Sequence, residues 1–156
     1  MTAETHNIHA TAISVDGVGL AFVGPSGSGK SSLAFDCLAE ARLANIPAAL
    51  ISDDRVIVSL ENGQVFASCP EPIRGLIELR YSGIVSVDHV DRAELSYIVL
   101  PVGADERHRL PPDDEQAELV AGLSLPVVRV PMWSRFPLSL ILARIRSLAA
   151  NRQFTR

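Results

Sequence analysis

The stretch GPSGSGKSS at residues 24–32 constrains the fold more than any other part of the sequence. It follows an apolar run at residues 18–23 and precedes a segment, 31–43, in which apolar residues recur at helical spacing. Residues 24–31 match the Walker A pattern GxxxxGK[ST] at every fixed position, and this pattern requires a strand before it and a helix after it. The sequence therefore predicts a buried strand, a glycine-rich loop and a helix in succession.

A loop of this kind binds phosphate for reasons that follow from its residue types. Glycines let backbone N–H groups turn toward phosphate oxygens, and the start of the helix adds the positive end of its dipole. Lys30 can reach the outer phosphates, and the Ser31 hydroxyl can bind Mg²⁺. Lys30 is also the only lysine beside 13 arginines. The alternative is a chance Gly/Ser turn. We predict that the nucleotide is bound by Gly24, Pro25, Ser26, Gly27, Ser28, Gly29, Lys30, Ser31 and Ser32.

Two adjacent carboxylates, Asp53 and Asp54, come directly after a second apolar run at residues 48–52. In phosphate-loop proteins an acid at the end of such a strand contacts Mg²⁺ directly or through water. Two neighbouring carboxylates also allow one to orient the metal while the other accepts a proton from an incoming hydroxyl. The alternative is a solvated acidic turn without a catalytic role.

The rest of the chain shows strand patterns mixed with helical ones. Asp16-Gly17 and Asn62-Gly63 are hairpin signals between β-rich runs. We predict strands at 9–15, 18–23, 48–52, 55–60, 64–68, 83–87, 95–102 and 127–130, and helices at 31–43, 71–80 and 137–150. The polar, proline-rich segment 103–116 is expected to be a mobile loop. Together these elements predict a single α/β domain over residues 1–156, whose sheet is not purely parallel.

Charge and cysteine content restrict the class of partner and the compartment. The net charge of −4 argues against nucleic acid or an anionic membrane as the main partner. Cys37 and Cys69 lack the spacing of a zinc site or a disulfide framework, and suit a reducing environment. The sequence shows no signal peptide and no apolar stretch near the roughly 20 residues that span a bilayer. We therefore expect a cytoplasmic protein.

Four segments in order resemble the catalytic domain of HPr kinase/phosphorylase, over about residues 8–150. They are HATAISVDGVGLAFVGPSGSGKSS, SDDRV, PEPIRGLIELRYSGIVSV and LPVVRVPMWSRFPL. The resemblance implies a P-loop kinase fold like that of phosphoenolpyruvate carboxykinase. It implies Mg²⁺ and ATP as cofactors and, as partner, HPr, the phosphocarrier protein of the sugar phosphotransferase system, phosphorylated on a serine.

The same resemblance implies a reverse step, in which inorganic phosphate attacks phosphoserine and releases pyrophosphate. It also implies a homo-oligomer, commonly a hexamer, although the closing helix at 137–150 is expected to be buried within its own domain. Longer members of the family carry an additional N-terminal domain. The chain resembles the short form that lacks it, so the allosteric control of the longer form is not expected to carry over.

Roles for individual residues follow from the resemblance. Asp53 would take the serine proton and return it in phosphorolysis, and Asp54 would support Mg²⁺ or the geometry of Asp53. Glu78, in ELRYSGIV where the family has Glu-x-Arg-Gly-x-Gly, would hold metal through water. His9 matches a histidine near the catalytic acid, whose charge would tune that carboxylate. From the sequence alone, a lone histidine in a strand can equally be structural.

Arginines complete the site that the resemblance implies. Arg80 in the same signature, Arg109 in ERHRLP and Arg135 in PMWSRFPL would neutralise charge on the transferring phosphoryl group. An ordinary ion pair between Glu78 and Arg80, and solvated side chains at the other two positions, are the alternatives.

The chain departs from the family pattern at two places. Ala10 follows His9 where the family usually has glycine, and Tyr81 follows Arg80 where the signature has its first glycine. Two other functions stay open. One is a small-molecule kinase that uses residues 103–116 as a lid, and the other is a nucleotide-dependent switch whose output is binding a partner.

Overall fold

The computed structural model describes residues 4–106 and 109–154. The strands in this part of the chain are β1 (Thr5–His9), β2 (Thr11–Val15), β3 (Val18–Phe22), β4 (Ala48–Ser52), β5 (Arg55–Glu61), β6 (Gln64–Ser68), β7 (Leu76–Leu79), β8 (Gly83–Ser86), β9 (Arg92–Val102), β10 (Gln116–Val120) and β11 (Leu123–Pro131). The helices are α1 (Lys30–Leu43) and α2 (Pro137–Phe154), with one short 3-10 turn at Glu71–Ile73.

Strand β9 joins the two halves of the main sheet. Its first residues pair antiparallel with β6, its middle pairs in parallel with β3, and its last residues pair in parallel with β11. The sheet continues antiparallel from β6 through β5 to β1, and from β3 through β2 to β4. Strand β10 pairs with β11, while β7 and β8 form a separate hairpin. The predicted mixed α/β architecture is confirmed.

The central strands separate two hydrophobic cores because alternate side chains of a strand point to opposite faces. On β2, Ile13 belongs to one core and Ala12 to the other; on β9, Val99 and Ile98 divide in the same way. Burial on both faces explains why these strands appear in the sequence as nearly continuous apolar runs.

The two helices cover the first of these cores and contact each other. The Glu40 side chain on α1 reaches the start of α2, where its carboxylate accepts hydrogen bonds from the backbone N–H of Leu138 (3.0 Å) and of Ser139 (2.8 Å), and from the Ser139 hydroxyl. This carboxylate satisfies N–H groups that the first turn of a helix leaves unpaired. The buried side chains of α2 include Leu138, Ile141 and Leu148, so this helix packs within its own domain, as expected. Within the described residues, neither helix combines the length and the apolarity needed to cross a bilayer.

Strands β3 and β9 approach so closely at Gly19 that only glycine fits there. A β-carbon at Gly19 would lie 1.9 Å from the carbonyl oxygen of Glu94. We expect Gly19→Ala to lower the free energy of unfolding by about 3 kcal/mol, because the parallel pair must separate at the centre of the sheet. Urea unfolding measures this effect. Gly17→Ala is the control: a β-carbon there meets nothing within 4 Å, so its expected cost is limited to backbone strain at a φ of 80°, about 1 kcal/mol. An equal loss in the two variants would contradict the argument.

The predicted helix at residues 71–80 is wrong. The segment forms a single 3-10 turn at Glu71–Ile73 and then strand β7. Gly75 separates the two with a φ of 75°, and a β-carbon there would lie 2.8 Å from Nδ1 of His89. Ile77 then points into the core against α1. Pro72 resembles a helix start in the sequence. The close packing of Gly75 and the alternating Leu-Ile-Glu-Leu pattern that follows it favour a turn and a strand instead.

Smaller differences concern the first strand and the C-terminal hairpin. The predicted strand at 9–15 is interrupted at Ala10, where the chain passes from β1, paired with β5, to β2, paired with β3 and β4. Strand β10 is a difference from the sequence-based prediction, which has no element there: Gly122, with a φ of 80°, is the one glycine at the turn into β11. Ion pairs join the described part of the segment between β9 and β10 to β11 and α2: Arg129 pairs with Glu115 and Glu106, and Arg144 with Asp113.

Candidate active site

A cleft of about 410 Å³ opens where β3 and β4 end and α1 begins. The residues that line it come from the phosphate loop, the acidic pair after β4, the end of β1 and the end of β7. Of the predicted site residues it brings together His9, Ser26, Gly27, Gly29, Lys30, Ser31, Ser32, Asp53, Asp54, Glu78 and Arg80. It also includes Thr11, Leu33, Asp36 and Met132, which the sequence did not single out.

The phosphate loop has the backbone shape that its glycines predict. Gly27 and Gly29 adopt φ values of 83° and 95°, a region that other residues enter only with strain. Gly29 is the N-cap of α1 and provides no side-chain cap, and the first turn of the helix contains no acidic residue. Ser28 Oγ is buried without a hydrogen-bond partner among the described residues. Unpaired donors at a helix start fit a phosphate group.

The Lys30 side chain is buried against its own loop. Its Nζ donates hydrogen bonds to the carbonyl oxygens of Gly24 (2.8 Å) and Pro25 (3.0 Å). Burial lowers the pKa of Lys30, and the charges of Asp54 and Asp53 partly oppose that shift. The ammonium is therefore positioned between the loop and the acidic pair, where it can contact an outer phosphate.

Asp53 is buried in the cleft, with 5% of its surface exposed, and accepts three hydrogen bonds. Its Oδ1 accepts hydrogen bonds from the hydroxyls of Thr11 (2.8 Å) and Ser31 (2.7 Å). Its Oδ2 accepts one from the backbone N–H of Glu78 (2.9 Å). Three donors from β2, α1 and β7 thus fix the orientation of the carboxylate. Because a carboxylate offers about four acceptor positions, these contacts leave one on Oδ2 for a further donor.

Asp54 faces the same cleft but is far more exposed. Its Oδ1 lies 2.8 Å from Nε2 of His9, and its backbone adopts a φ of 69°. The resemblance implies that His9 lies near the catalytic acid; the structure pairs it with Asp54, the second aspartate of the adjacent pair. The left-handed backbone at Asp54 lets two consecutive side chains face one cleft, although alternation along a strand would separate them.

Glu78 and Arg80 enter the cleft from the end of β7 and the turn that follows. A β-carbon at Gly27 would lie 3.8 Å from both terminal nitrogens of Arg80, so this guanidinium lies directly over the phosphate loop. Glu78 lines the cleft, and its backbone N–H donates a hydrogen bond to the carboxylate of Asp53. The hairpin of β7 and β8 therefore closes one side of the site.

Tyr81 forms the tip of this hairpin in a strained conformation. Its φ is 69°, and its side chain is fully exposed. The resembled signature has glycine at this position. We expect Tyr81→Gly to relieve roughly 1 kcal/mol of backbone strain and to raise the melting temperature. Tyr81→Ala removes the side chain but keeps the strain, so it should give no such gain. Equal melting temperatures for the two variants would contradict this explanation.

The remaining predicted residues occupy other positions. Arg109 and Arg135 are exposed, and among the described residues lining the cleft neither is present. Gly24, Pro25 and Ser28 belong to the phosphate loop but are not among the residues that line the cleft. Among the cleft residues that the sequence analysis did not single out, Thr11 could have been found from the sequence. Strand alternation places it on the same side as His9. Asp36 lies on α1, and burial together with the charge of Glu40 raises its pKa.

The oxygen atoms at the cleft fit a magnesium ion bound together with phosphates. Across residues 4–106 and 109–154, no group of three or more His, Cys, Asp and Glu side chains could hold a metal by itself. Mg²⁺ keeps several waters and usually takes one or two carboxylates plus substrate phosphates. The Ser31 hydroxyl and the nearby carboxylates would supply such a partial set of ligands.

Comparison with known proteins agrees with this geometry. The chain is similar to HPr kinase/phosphorylase of Azoarcus sp. (strain BH72), with 28% identity over 165 residues, 93% of this chain and 48% of that protein. It is 35% identical over 85 residues to HPr kinase/phosphorylase of Mycoplasmopsis pulmonis (strain UAB CTIP), 54% of this chain and 26% of that protein. The chain therefore spans about half, or less, of the length of these curated relatives.

The fold has a counterpart among solved structures. The Hpr(Ser) kinase/phosphatase from Coxiella burnetii superposes with a TM-score of 0.72 at 23% identity, covering 94% of this chain and 99% of that one. The family model described as HPr Serine kinase C-terminal domain matches residues 1–96, well over half of the 156 residues. The chain belongs to the family of the HPr serine kinase C-terminal domain.

Proposed function

We propose that this chain transfers the γ-phosphoryl group of ATP to a serine hydroxyl of the phosphocarrier protein HPr. The observation that supports this most directly is the contact of Ser31 in the phosphate loop with Asp53, which places a buried, oriented carboxylate beside the helix start. Relatives named HPr kinase/phosphorylase supply the identity of the acceptor. The fold we propose for this activity is the P-loop type shared with phosphoenolpyruvate carboxykinase, in one domain.

The phosphate loop and two positively charged side chains, Lys30 and Arg80, would bind and orient the phosphoryl donor, ATP. Backbone N–H groups at Gly24 and at residues 26–31 would surround the phosphates, and Lys30 would contact the outer ones from its place between the loop and the acids. Arg80 lies over Gly27 and would offset the charge that develops on the equatorial oxygens. Arg109 and Arg135 do not line the cleft, so either could act beside Arg80 only if its segment moved toward the cleft.

Asp53 would act on the acceptor hydroxyl. The serine oxygen attacks phosphorus in line, the bond from phosphorus to the β,γ-bridging oxygen breaks, and the serine proton passes to Oδ2 of Asp53. The three hydrogen bonds that Asp53 accepts hold this atom in place before the acceptor arrives. His9 would hold Asp54, and through it the geometry of the acidic pair.

Ser31, Asp54 and Glu78 would hold Mg²⁺, which neutralises phosphate charge when it is bound. In the reverse reaction, an oxygen of inorganic phosphate attacks the phosphorus of phosphoserine. The bond to the serine oxygen breaks, Asp53 returns a proton to that oxygen, and pyrophosphate leaves. The same residues would serve both directions, because the serine oxygen and phosphorus occupy the same positions in each.

Nucleotide consumption distinguishes this proposal from a nucleotide-dependent switch. We expect ATP hydrolysis by the chain alone to be very slow, and ATP consumption to rise in proportion to added HPr until all of it is modified. HPr whose acceptor serine is replaced by alanine is the control, and should cause no rise. Steady hydrolysis that HPr does not change would contradict the kinase proposal and favour the switch.

A further inference from the structure

Three of the eight large apolar side chains that are exposed in the described residues fall within one five-residue segment, residues 132–136, which we call the apolar loop. Trp133 and Phe136 expose 63% and 65% of their surface, and Met132 exposes 44%. Single exposed apolar side chains are ordinary, whereas contiguous ones mark surfaces that bind a partner. Arg135, which lies between Trp133 and Phe136 in the sequence, is also exposed, and aromatic residues, methionine and arginine are the types enriched at protein interfaces.

The backbone of the apolar loop is fixed at both ends. The N–H of Met132 donates to the carbonyl oxygen of Val102 (2.9 Å), and the N–H of Ser134 donates to that of Pro131 (3.0 Å). The Phe136 carbonyl accepts the N–H of Leu140 (3.1 Å) at the start of α2, where Glu40 provides the cap. The exposed rings therefore stand on a frame formed before any partner arrives, which lowers the entropy lost on binding.

The apolar loop borders the cleft. Met132 lines the cleft, and a β-carbon at Gly29 would lie 3.2 Å from its terminal methyl group. Gly29 is the N-cap of α1, so the apolar loop adjoins the end of the helix where phosphates are expected. An acceptor that lies across this loop would place a side chain directly in the cleft.

We propose that the apolar loop is the docking surface for the acceptor protein HPr, with Trp133 and Phe136 as its apolar anchors; this rests on the proposed function. A serine hydroxyl offers little to bind, so the energy that holds it in place must come from surface remote from the reacting atoms. Two exposed rings, a methionine and an arginine within five residues match the composition of protein interfaces, which favours a protein over the adenine of ATP. Buried tryptophan and arginine supply much of the binding energy at protein interfaces.

Steady-state kinetics with Trp133→Ser and Phe136→Ser test the proposal. We expect each to raise KM for HPr at least tenfold, while kcat at saturating HPr and KM for ATP change less than about twofold. Leu43→Ser is the matched control, because Leu43 is 88% exposed at the other end of α1, about 20 Å from Lys30 along the helix. An unchanged KM for HPr in both loop variants would overturn the proposal.

Fluorescence identifies the occupant independently of turnover, because Trp133 is the only tryptophan of the chain. The probe is a tryptophan-free HPr whose acceptor serine is replaced by alanine. We expect this HPr to shift Trp133 emission to shorter wavelength and to protect it from acrylamide, whereas Mg²⁺-ATP alone does neither. Protection by nucleotide alone would show a nucleotide contact, and protection that grows with chain concentration would show self-association. Either result would overturn the proposal.

The failure of the proposed function has a separate signature. A wild-type chain that leaves native HPr unphosphorylated contradicts the kinase activity, whatever the variants do. A wild-type chain that phosphorylates HPr, but whose Trp133 stays equally accessible to acrylamide when HPr is bound, contradicts the docking surface alone.

Discussion

Replacing Lys30 by methionine is expected to lower kcat for HPr phosphorylation by about 10³-fold, the loss typical of removing one charged or polar group that stabilises a transition state. Methionine keeps the length and apolar stem of the side chain and removes the ammonium. In the structure this ammonium is buried between the carbonyl oxygens of Gly24 and Pro25 and the acidic pair. Nothing else of positive charge lies so deep among the residues described at the cleft.

The measurement compares initial rates at saturating ATP and HPr, together with melting temperatures to confirm folding. Arg42→Met is the matched control: it removes a positive charge from the last turn of the same helix, away from the cleft, and should leave the rate unchanged within about twofold. Lys30→Arg should rescue little, because a broad guanidinium does not fit where a compact ammonium lies. A Lys30→Met variant that retains more than a tenth of the wild-type rate would contradict this role.

Asp53→Asn is expected to abolish phosphoryl transfer while sparing nucleotide binding. An amide cannot take the serine proton, so we expect kcat to fall by at least about 10³-fold. The fold should tolerate the change. The amide oxygen can accept the N–H of Glu78, and the amide NH₂ can donate to the hydroxyls of Thr11 and Ser31, which rotate to accept. A stability loss of about 1 kcal/mol is therefore expected.

Titration calorimetry with Mg²⁺-ATP provides the second half of this comparison. We expect the Kd of Asp53→Asn to stay within about threefold of wild type, because the loop backbone and Lys30 remain in place. Asp91→Asn, which alters a carboxylate paired with Arg74 on the surface, is the control for loss of one acidic charge. Substantial turnover by Asp53→Asn would show that another group accepts the serine proton. The adjacent, exposed Asp54 would then be the first candidate.

Local sequence signals predicted much of the fold and the site. Glycine positions and apolar periodicity, both local features, determine three elements: the loop at 24–31, the helix that follows it and the strand at 48–52. The hairpin at Asn62-Gly63 was also predicted, because that pair favours one turn type. The cleft brings together the loop and both aspartates because all three lie at strand ends or a helix start.

Features that depend on distant residues were not predictable in this way. Strand alternation puts Thr11 on the same side as His9, but its hydrogen bond to Asp53 arises from the side-by-side pairing of β2 and β4. Glu40 likewise caps α2 from 98 residues away in the chain. Residues 71–80 show the same limit: the packing of Gly75 against His89 sets their path, and neither residue reveals it in the sequence. The position of Met132 over Gly29 follows from the parallel pairing of β11 with β9.

Intact mass spectrometry of HPr, incubated with the purified chain and Mg²⁺-ATP, tests the central claim most directly. The kinase account predicts that HPr gains the mass of one phosphate. It also predicts that replacing the acceptor serine, or Asp53→Asn in this chain, prevents the gain, and that added inorganic phosphate reverses it with release of pyrophosphate. HPr that stays unmodified while the chain binds ATP would contradict the account, and would leave a nucleotide pocket that serves a small-molecule acceptor or a switch.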